Sequence, residues 1–155
     1  MKQLALITWA SSWLGKEFAQ IHAEHGGDMI LVARREDKLL ELKKEIESEY
    51  NVMVHVITKD LTEEGACKSV YEEVMKQWEI KYLINNAGFG GVGKFHERAW
   101  EEDKSMIALN ITALTELTRE FLPHMVEKNT GRILNVSSTA SLLPGPNQAV
   151  YFATK

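Results

Sequence analysis

Residues 4–33 read LALITWASSWLGKEFAQIHAEHGGDMILVA. Leu4 to Ile7 form a short continuous apolar run. A turn rich in small residues follows, and then Leu14, Phe18 and Ile21 recur at helical spacing on one face. Gly26-Gly27 ends that pattern, and Met29 to Val32 opens a second apolar run. The segment therefore reads as strand, turn, helix, strand. The same rhythm continues outward. Val52 to Ile57, Tyr82-Leu83-Ile84 and Ile133 to Val136 are three further strand-like runs. Helical stripes lie between them: Leu39, Leu42 and Ile46; Ala66, Val70, Val74 and Trp78; and a long one through Ile107, Ile111, Leu114, Leu117, Phe121 and Met125. Pro123 inside the last stripe is expected to kink it. Most strand runs are continuous rather than alternating, as in parallel sheets covered on both faces. Right-handed crossovers then predict one α/β domain over residues 1–155, a doubly wound parallel sheet of order 3-2-1-4-5.

The chain has 155 residues, with 18 Lys+Arg against 22 Asp+Glu and a net charge of -4. This mild acidity, without a basic face, argues against a nucleic-acid partner. The single cysteine, Cys67, excludes an internal disulfide, and no apolar run approaches the ~18 residues of a membrane span. A cytoplasmic location is expected. Met1-Lys2-Gln3 and the following apolar stretch resemble a short signal peptide, but cleavage would remove the first strand of the repeating pattern, so the strand reading is preferred. His22 and His25 lack a third ligand, and no metal site is expected. Cys67 lies on a helical pattern with no positive cluster and reads as a quiet thiol. Gly88-Phe89-Gly90-Gly91-Val92-Gly93 fits a G-x-G-x-x-G phosphate loop, yet such a loop opens a helix directly, and the next helical pattern begins near Trp100.

In doubly wound sheets, ligands bind beyond the carboxyl ends of the strands. The segments following the strands are Thr8 to Gly15, Ala33-Arg34-Arg35, Asp60-Leu61, Asn85-Asn86-Ala87-Gly88 and Ser137-Ser138. Tyr151 lies thirteen residues after Ser138, and Lys155 one helical turn further on. An isolated phenol, with a pKa of about 10, is a poor acid–base group at neutral pH. A lysine cation beside it favours the ionised form.

Taken together, these motifs resemble the short-chain dehydrogenase/reductase family over essentially the whole chain. The resemblance implies a Rossmann-like fold and an oxidoreductase that transfers hydride between a nicotinamide cofactor and a ketone or secondary alcohol. It implies Tyr151 as general acid in reduction and Ser138 as the group that positions the carbonyl oxygen. Lys155 would favour the tyrosinate and hold the nicotinamide ribose, and Asn110 would hold a water linking Lys155 to solvent. It places Thr8, Ser11, Ser12 and Gly15 of the turn at the cofactor, Asp60 at the adenine, and Asn86, Ala87 and Gly88 along the adenosine. Ala33 stands where an acidic residue would bind the 2′-hydroxyl of NAD. Arg34 and Arg35 after it suit a 2′-phosphate, so NADP is the expected cofactor.

Two departures qualify this reading. The family's Thr-Gly-x-x-x-Gly-x-Gly is here Thr8-Trp9-Ala10-Ser11-Ser12-Trp13-Leu14-Gly15, keeping only the last glycine. Trp13 is expected to intrude on phosphate space, Trp9 to fit the turn poorly, and cofactor binding to be weakened or lost. The chain also ends at Lys155, within its own motif, so the fold is expected to be an amino-terminal portion, incomplete at the carboxyl end. An exposed apolar edge at Ile133 to Val136 and self-association into a homo-oligomer follow. Leu142, Leu143, Pro144 and Pro146 suggest an apolar substrate cleft. The alternative function is a non-catalytic remnant or interaction module that binds no cofactor.

Overall fold

The computed structural model describes residues 3–143 and 145–155; Pro144 of the expected apolar cleft, and Met1 and Lys2, lie outside them. The strands are β1 (Ala5–Thr8), β2 (Met29–Ala33), β3 (Val54–Thr58), β4 (Tyr82–Asn85) and β5 (Arg132–Asn135). They form a parallel sheet of order β3-β2-β1-β4-β5, as the sequence predicts. Helices α1 (Trp13–Glu24), α2 (Glu36–Glu49), α3 (Ala66–Met75), α4 (Trp100–Ile107), α5 (Leu114–Glu127) and α6 (Ala149–Thr154) complete the chain.

The continuous apolar strands follow from cover on both faces. Leu6, Ile30, Val32 and Leu83 pack on one side with Val70 and Val74 of α3 and Leu117 and Phe121 of α5. Their neighbours Ala5, Ile7, Met29 and Leu31 pack on the other side with Ala19 of α1 and Leu39 and Ile46 of α2. Adjacent residues of one strand thus serve opposite layers, and both must be apolar. Strand β5 lies at the sheet edge, with Leu134 45% exposed, as the apolar run there predicted.

The long helical stripe is corrected in two respects. A π-helical stretch, Ala108–Ala113, joins α4 to α5 and shifts the buried face. Met106, Asn110 and Ala113 point inward, while Ile111 is 41% exposed. Only Leu117, Phe121 and Met125 of the expected stripe are buried on α5. The helix continues through Pro123 to Glu127, so the irregularity lies at the π turn around Asn110. Among the described residues no helix is long and apolar enough to cross a membrane.

Candidate active site

The carboxyl ends of β1 and β4 are fastened by one hydroxyl. Thr8 Oγ1 accepts from the backbone amides of Asn86 and Ala87, both at 2.9 Å, and donates to the Ile84 carbonyl at 3.3 Å. Asn86 Nδ2 answers by donating to the Thr8 carbonyl at 3.1 Å and to Ser12 Oγ at 3.3 Å. Ser12 caps α1, its Oγ accepting from Gly15 N at 3.1 Å. Thr8 and Asn86 are buried, so their side chains hold the turn from within. Gly15 is required by close approach: a Cβ there would sit 2.4 Å from the Trp9 carbonyl oxygen.

The two tryptophans part company. Trp9 has φ 50, the left-handed region that glycine adopts freely, and its ring meets Phe89 edge to face at 6.4 Å. Trp9 lines the main groove. Trp13, by contrast, begins α1 with 81% of its surface exposed and does not line that groove. The N-terminal turn of α1 carries the Trp13 side chain out to solvent, where it borders a smaller cleft with Ser11 and Ser12 of the turn, whereas Trp9 borders the groove beside Phe89.

The groove, about 780 Å³, crosses the ends of β1 to β4 and is bordered by Trp9, Ala33, Arg34, Asp60, Ala87 and Phe89. Arg34 reaches Asp60 at 3.4 Å, and Arg35 donates to the Ser11 carbonyl at 3.1 Å. Arg34 thus borders the groove, while Arg35 is tied to the turn. Partial burial pushes the Asp60 carboxyl upward, but the Thr62 amide and hydroxyl and the Arg34 guanidinium outweigh it and hold it below its ordinary value.

Tyr151 and Lys155 lie one turn apart at the end of the chain. The Tyr151 ring packs on Gly90, where a Cβ would lie 3.2 Å from it. Lys155 Nζ lies over Gly88, where a Cβ would lie 2.8 Å away, and donates to the Val136 carbonyl at 3.2 Å. Burial pushes the Lys155 ammonium below its ordinary pKa. Asn110, buried in the π turn, holds both polar groups of Phe89. Its Oδ1 accepts from Phe89 N at 3.0 Å, and its Nδ2 donates to Phe89 O at 2.9 Å and to Thr154 Oγ1 at 2.8 Å. Thr154 in turn donates to the Tyr151 carbonyl at 2.9 Å. Ser138 Oγ accepts from Ala140 N at 3.1 Å, a role that leaves its hydroxyl proton to donate. Ser137, next to it, donates to the Lys155 carbonyl at 3.4 Å, bringing the end of β5 to the end of α6.

The fold thus gathers Asn110, Tyr151 and Lys155 around Gly88–Gly90, with Ser138 on the adjoining segment. Sequence reasoning missed Thr154, Phe89, Gly90 and the Val136 carbonyl. The first two act through hydrogen bonds that leave no motif. Residues 88–93 do not open a helix; a short 3-10 turn at Phe95–Glu97 and then α4 follow, as expected. His22 Nε2 contacts the Gln3 and Asp28 carbonyls at 3.0 and 3.1 Å, and no cluster able to hold a metal occurs among the described residues. Burial, with Glu116 adding to it, pushes the Cys67 thiol up to about 12.

Comparison with known proteins agrees with this geometry. The short chain dehydrogenase family profile matches residues 3–155. The chain is 32% identical to the human very-long-chain 3-oxoacyl-CoA reductase, covering 97% of this chain and 49% of that protein. It is 34% identical to an NADP-dependent 3-hydroxy acid dehydrogenase of Salmonella typhi, covering 98% and 60%. A short-chain dehydrogenase from Sphingobium yanoikuyae, solved in complex with NADPH, superposes with a TM-score of 0.93 at 35% identity, covering 99% of this chain and 60% of that one. The bulky-bulky ketone specific alcohol dehydrogenase from Comamonas testosteroni gives 0.93 at 31% identity, covering 99% and 61%. The chain spans between 49% and 62% of the length of the curated relatives it matches. A family match over residues 3–155, with whole-chain similarity to solved short-chain dehydrogenases, makes the chain a member of the short-chain dehydrogenase family of oxidoreductases.

Proposed function

We propose that the protein is an NADP(H)-dependent oxidoreductase that interconverts a ketone and a secondary alcohol. The observation that carries this is the position of Gly90, which lines the groove on one side and bears the Tyr151 ring on the other. A ligand lying along the groove ends next to the phenol. The donor set fits a phosphorylated nicotinamide nucleotide. β2 ends in Ala33 rather than a carboxylate, and the Arg34 and Arg35 guanidinium groups that follow suit a 2′-phosphate. Similarity to a protein solved with NADPH and to an NADP-dependent enzyme supports the same choice.

The cofactor, when bound, supplies the hydride. The chain supplies orientation and proton management. Ser138 donates its hydroxyl proton to the carbonyl oxygen and fixes it beside Tyr151. Tyr151 delivers a proton to that oxygen in reduction and takes one back in oxidation. Lys155 keeps one ammonium proton on Val136 O, leaving two to hold ribose hydroxyls. Asn110 fixes the Phe89 backbone, and through Thr154 it anchors the turn that carries Tyr151. The ketone reading is supported by the relatives' printed substrates, a bulky ketone and 3-oxoacyl-CoA.

Titrating NADPH and NADH against the protein by nucleotide fluorescence tests the cofactor. Carbonyl reduction by the protein, removed by Tyr151→Phe with NADPH binding kept, tests the chemistry. Absence of binding by either nucleotide would favour the non-catalytic alternative instead.

A further inference from the structure

We infer that Arg98 is a positioning residue that, with Asp103, clamps the glycine loop forming the shared wall between the nucleotide groove and Tyr151. The inference rests on the nucleotide reading above for its ligand but on separate residues for its mechanism. Arg98 precedes α4, and its side chain is only 11% exposed. Its Nε donates to Asp103 Oδ1 at 2.7 Å, and that carboxylate is 5% exposed. Two buried charges so placed form a unit, since either alone would be left uncompensated. Asp103 sits in the first turn of α4, where the helix dipole also favours a carboxylate.

The other face of the guanidinium grips the loop. One terminal nitrogen donates to the Val92 carbonyl at 3.1 Å, and the other lies 3.3 Å from Glu102. The planar group is flat against Gly91, where a Cβ would fall 2.3 Å from one nitrogen. A Cβ at position 91 would push the guanidinium off the loop. Gly93, with φ +152, lies against the Arg98 stem and donates its amide to the Asn147 carbonyl at 2.8 Å. The loop is thereby held from both sides. Gly90, one residue before Gly91, carries the Tyr151 ring. Contact therefore runs unbroken from Asp103 through Arg98 and Gly91 to Gly90 and the phenol. A planar, five-donor group is needed for this, because Lys cannot bind a carboxylate, a carbonyl and a flat glycine face at once.

The test uses the double variant Arg98→Met with Asp103→Leu, which removes the ion pair as a unit, and Arg98→Lys, which keeps charge and fold but loses the planar grip. In each, hydrogen exchange of the Gly90–Gly93 amides is read beside the affinities for NADPH and for adenosine 2′,5′-bisphosphate. The half molecule occupies the Arg34 end only, whereas NADPH passes Gly90. Amide exchange in the loop should quicken by about tenfold or more, while the core amides of β1 and β2 stay as in the parent. NADPH affinity should fall by about tenfold, and that of the half molecule by less than about threefold. Equal losses for both ligands would reduce Arg98 to a general stabiliser, and loop exchange unchanged in both variants would overturn the clamp. Should neither ligand bind the parent protein, the nucleotide reading falls, and the exchange data alone decide the clamp.

Discussion

Trp9→Gly separates two roles that the altered turn has combined. Trp9 holds φ 50, a conformation costing a residue with a Cβ roughly 1–2 kcal/mol. Three contacts keep it there: its carbonyl accepts from Ser12 N at 3.0 Å and from Asn86 Nδ2 at 3.4 Å, and Gly15 packs against the same oxygen. Glycine would remove the strain. It would also lose the edge-to-face contact with Phe89, about 0.5–1.5 kcal/mol, and add backbone freedom to the unfolded chain, about 0.5–1 kcal/mol. These terms nearly cancel, so the melting temperature should stay within about 5 °C of the parent. Binding should not cancel in the same way. Trp9 borders the groove, and removing its side chain should widen it. NADPH affinity should rise by about tenfold or more, roughly 1.4 kcal/mol. Trp13→Gly is the control. Trp13 is 81% exposed and borders the cleft beside Ser11 and Ser12 rather than the groove, so the change should cost only the helix penalty of glycine, up to about 1 kcal/mol, and raise NADPH affinity less than Trp9→Gly does. Fluorescence titration of the two variants with NADPH, beside thermal melts, decides it. An equal gain from Trp13→Gly, or no gain from Trp9→Gly, would refute the assignment of the obstruction to Trp9.

The remaining expectations concern cofactor choice, acid sensitivity and the core. Arg34→Ala combined with Arg35→Ala should weaken NADPH more than NADH, because Arg34 borders the groove and Arg35 follows it on the adjoining turn; parallel titrations check this, and equal losses would count against it. Asp60 is held below its ordinary carboxylate value, so its contribution to stability is complete above about pH 4 and is lost as pH falls through the lower, folded value. Asp60→Asn should therefore flatten the acid limb of a urea-midpoint profile while changing little near neutrality. Phe121→Ala should cost about 3–5 kcal/mol in urea unfolding, because Phe121 is buried between α5, α3 and the sheet, with Tyr71 against its ring at 5.1 Å.

The strands themselves were legible because their cause is local, and their order followed from the right-handed crossover between them. Leu6 and Ile7 are adjacent yet serve opposite layers, and that demand writes itself as a continuous apolar run. The nearness of Tyr151 and Lys155 was legible for a different reason, since a four-residue spacing on a helix puts two side chains on one face. The π turn at Asn110 was not legible. Ile107, Ile111 and Leu114 satisfy a helical repeat as well as Met106, Asn110 and Ala113 do, and only burying an asparagine against the Phe89 backbone selects the second face. Nor could the sequence rank the two tryptophans, because both replace glycines of one motif. The ranking comes from what the backbone does at each position. At Trp13 a helix begins, and its first turn carries the side chain away from the sheet. At Trp9 the chain adopts a left-handed conformation, and the residue borders the groove. The same residue type therefore has opposite consequences four positions apart. What a substitution in a glycine turn does to a ligand depends on whether that glycine served the turn's curvature, the ligand's approach or the packing beneath. Gly15 serves the packing, and Trp9 now occupies the approach.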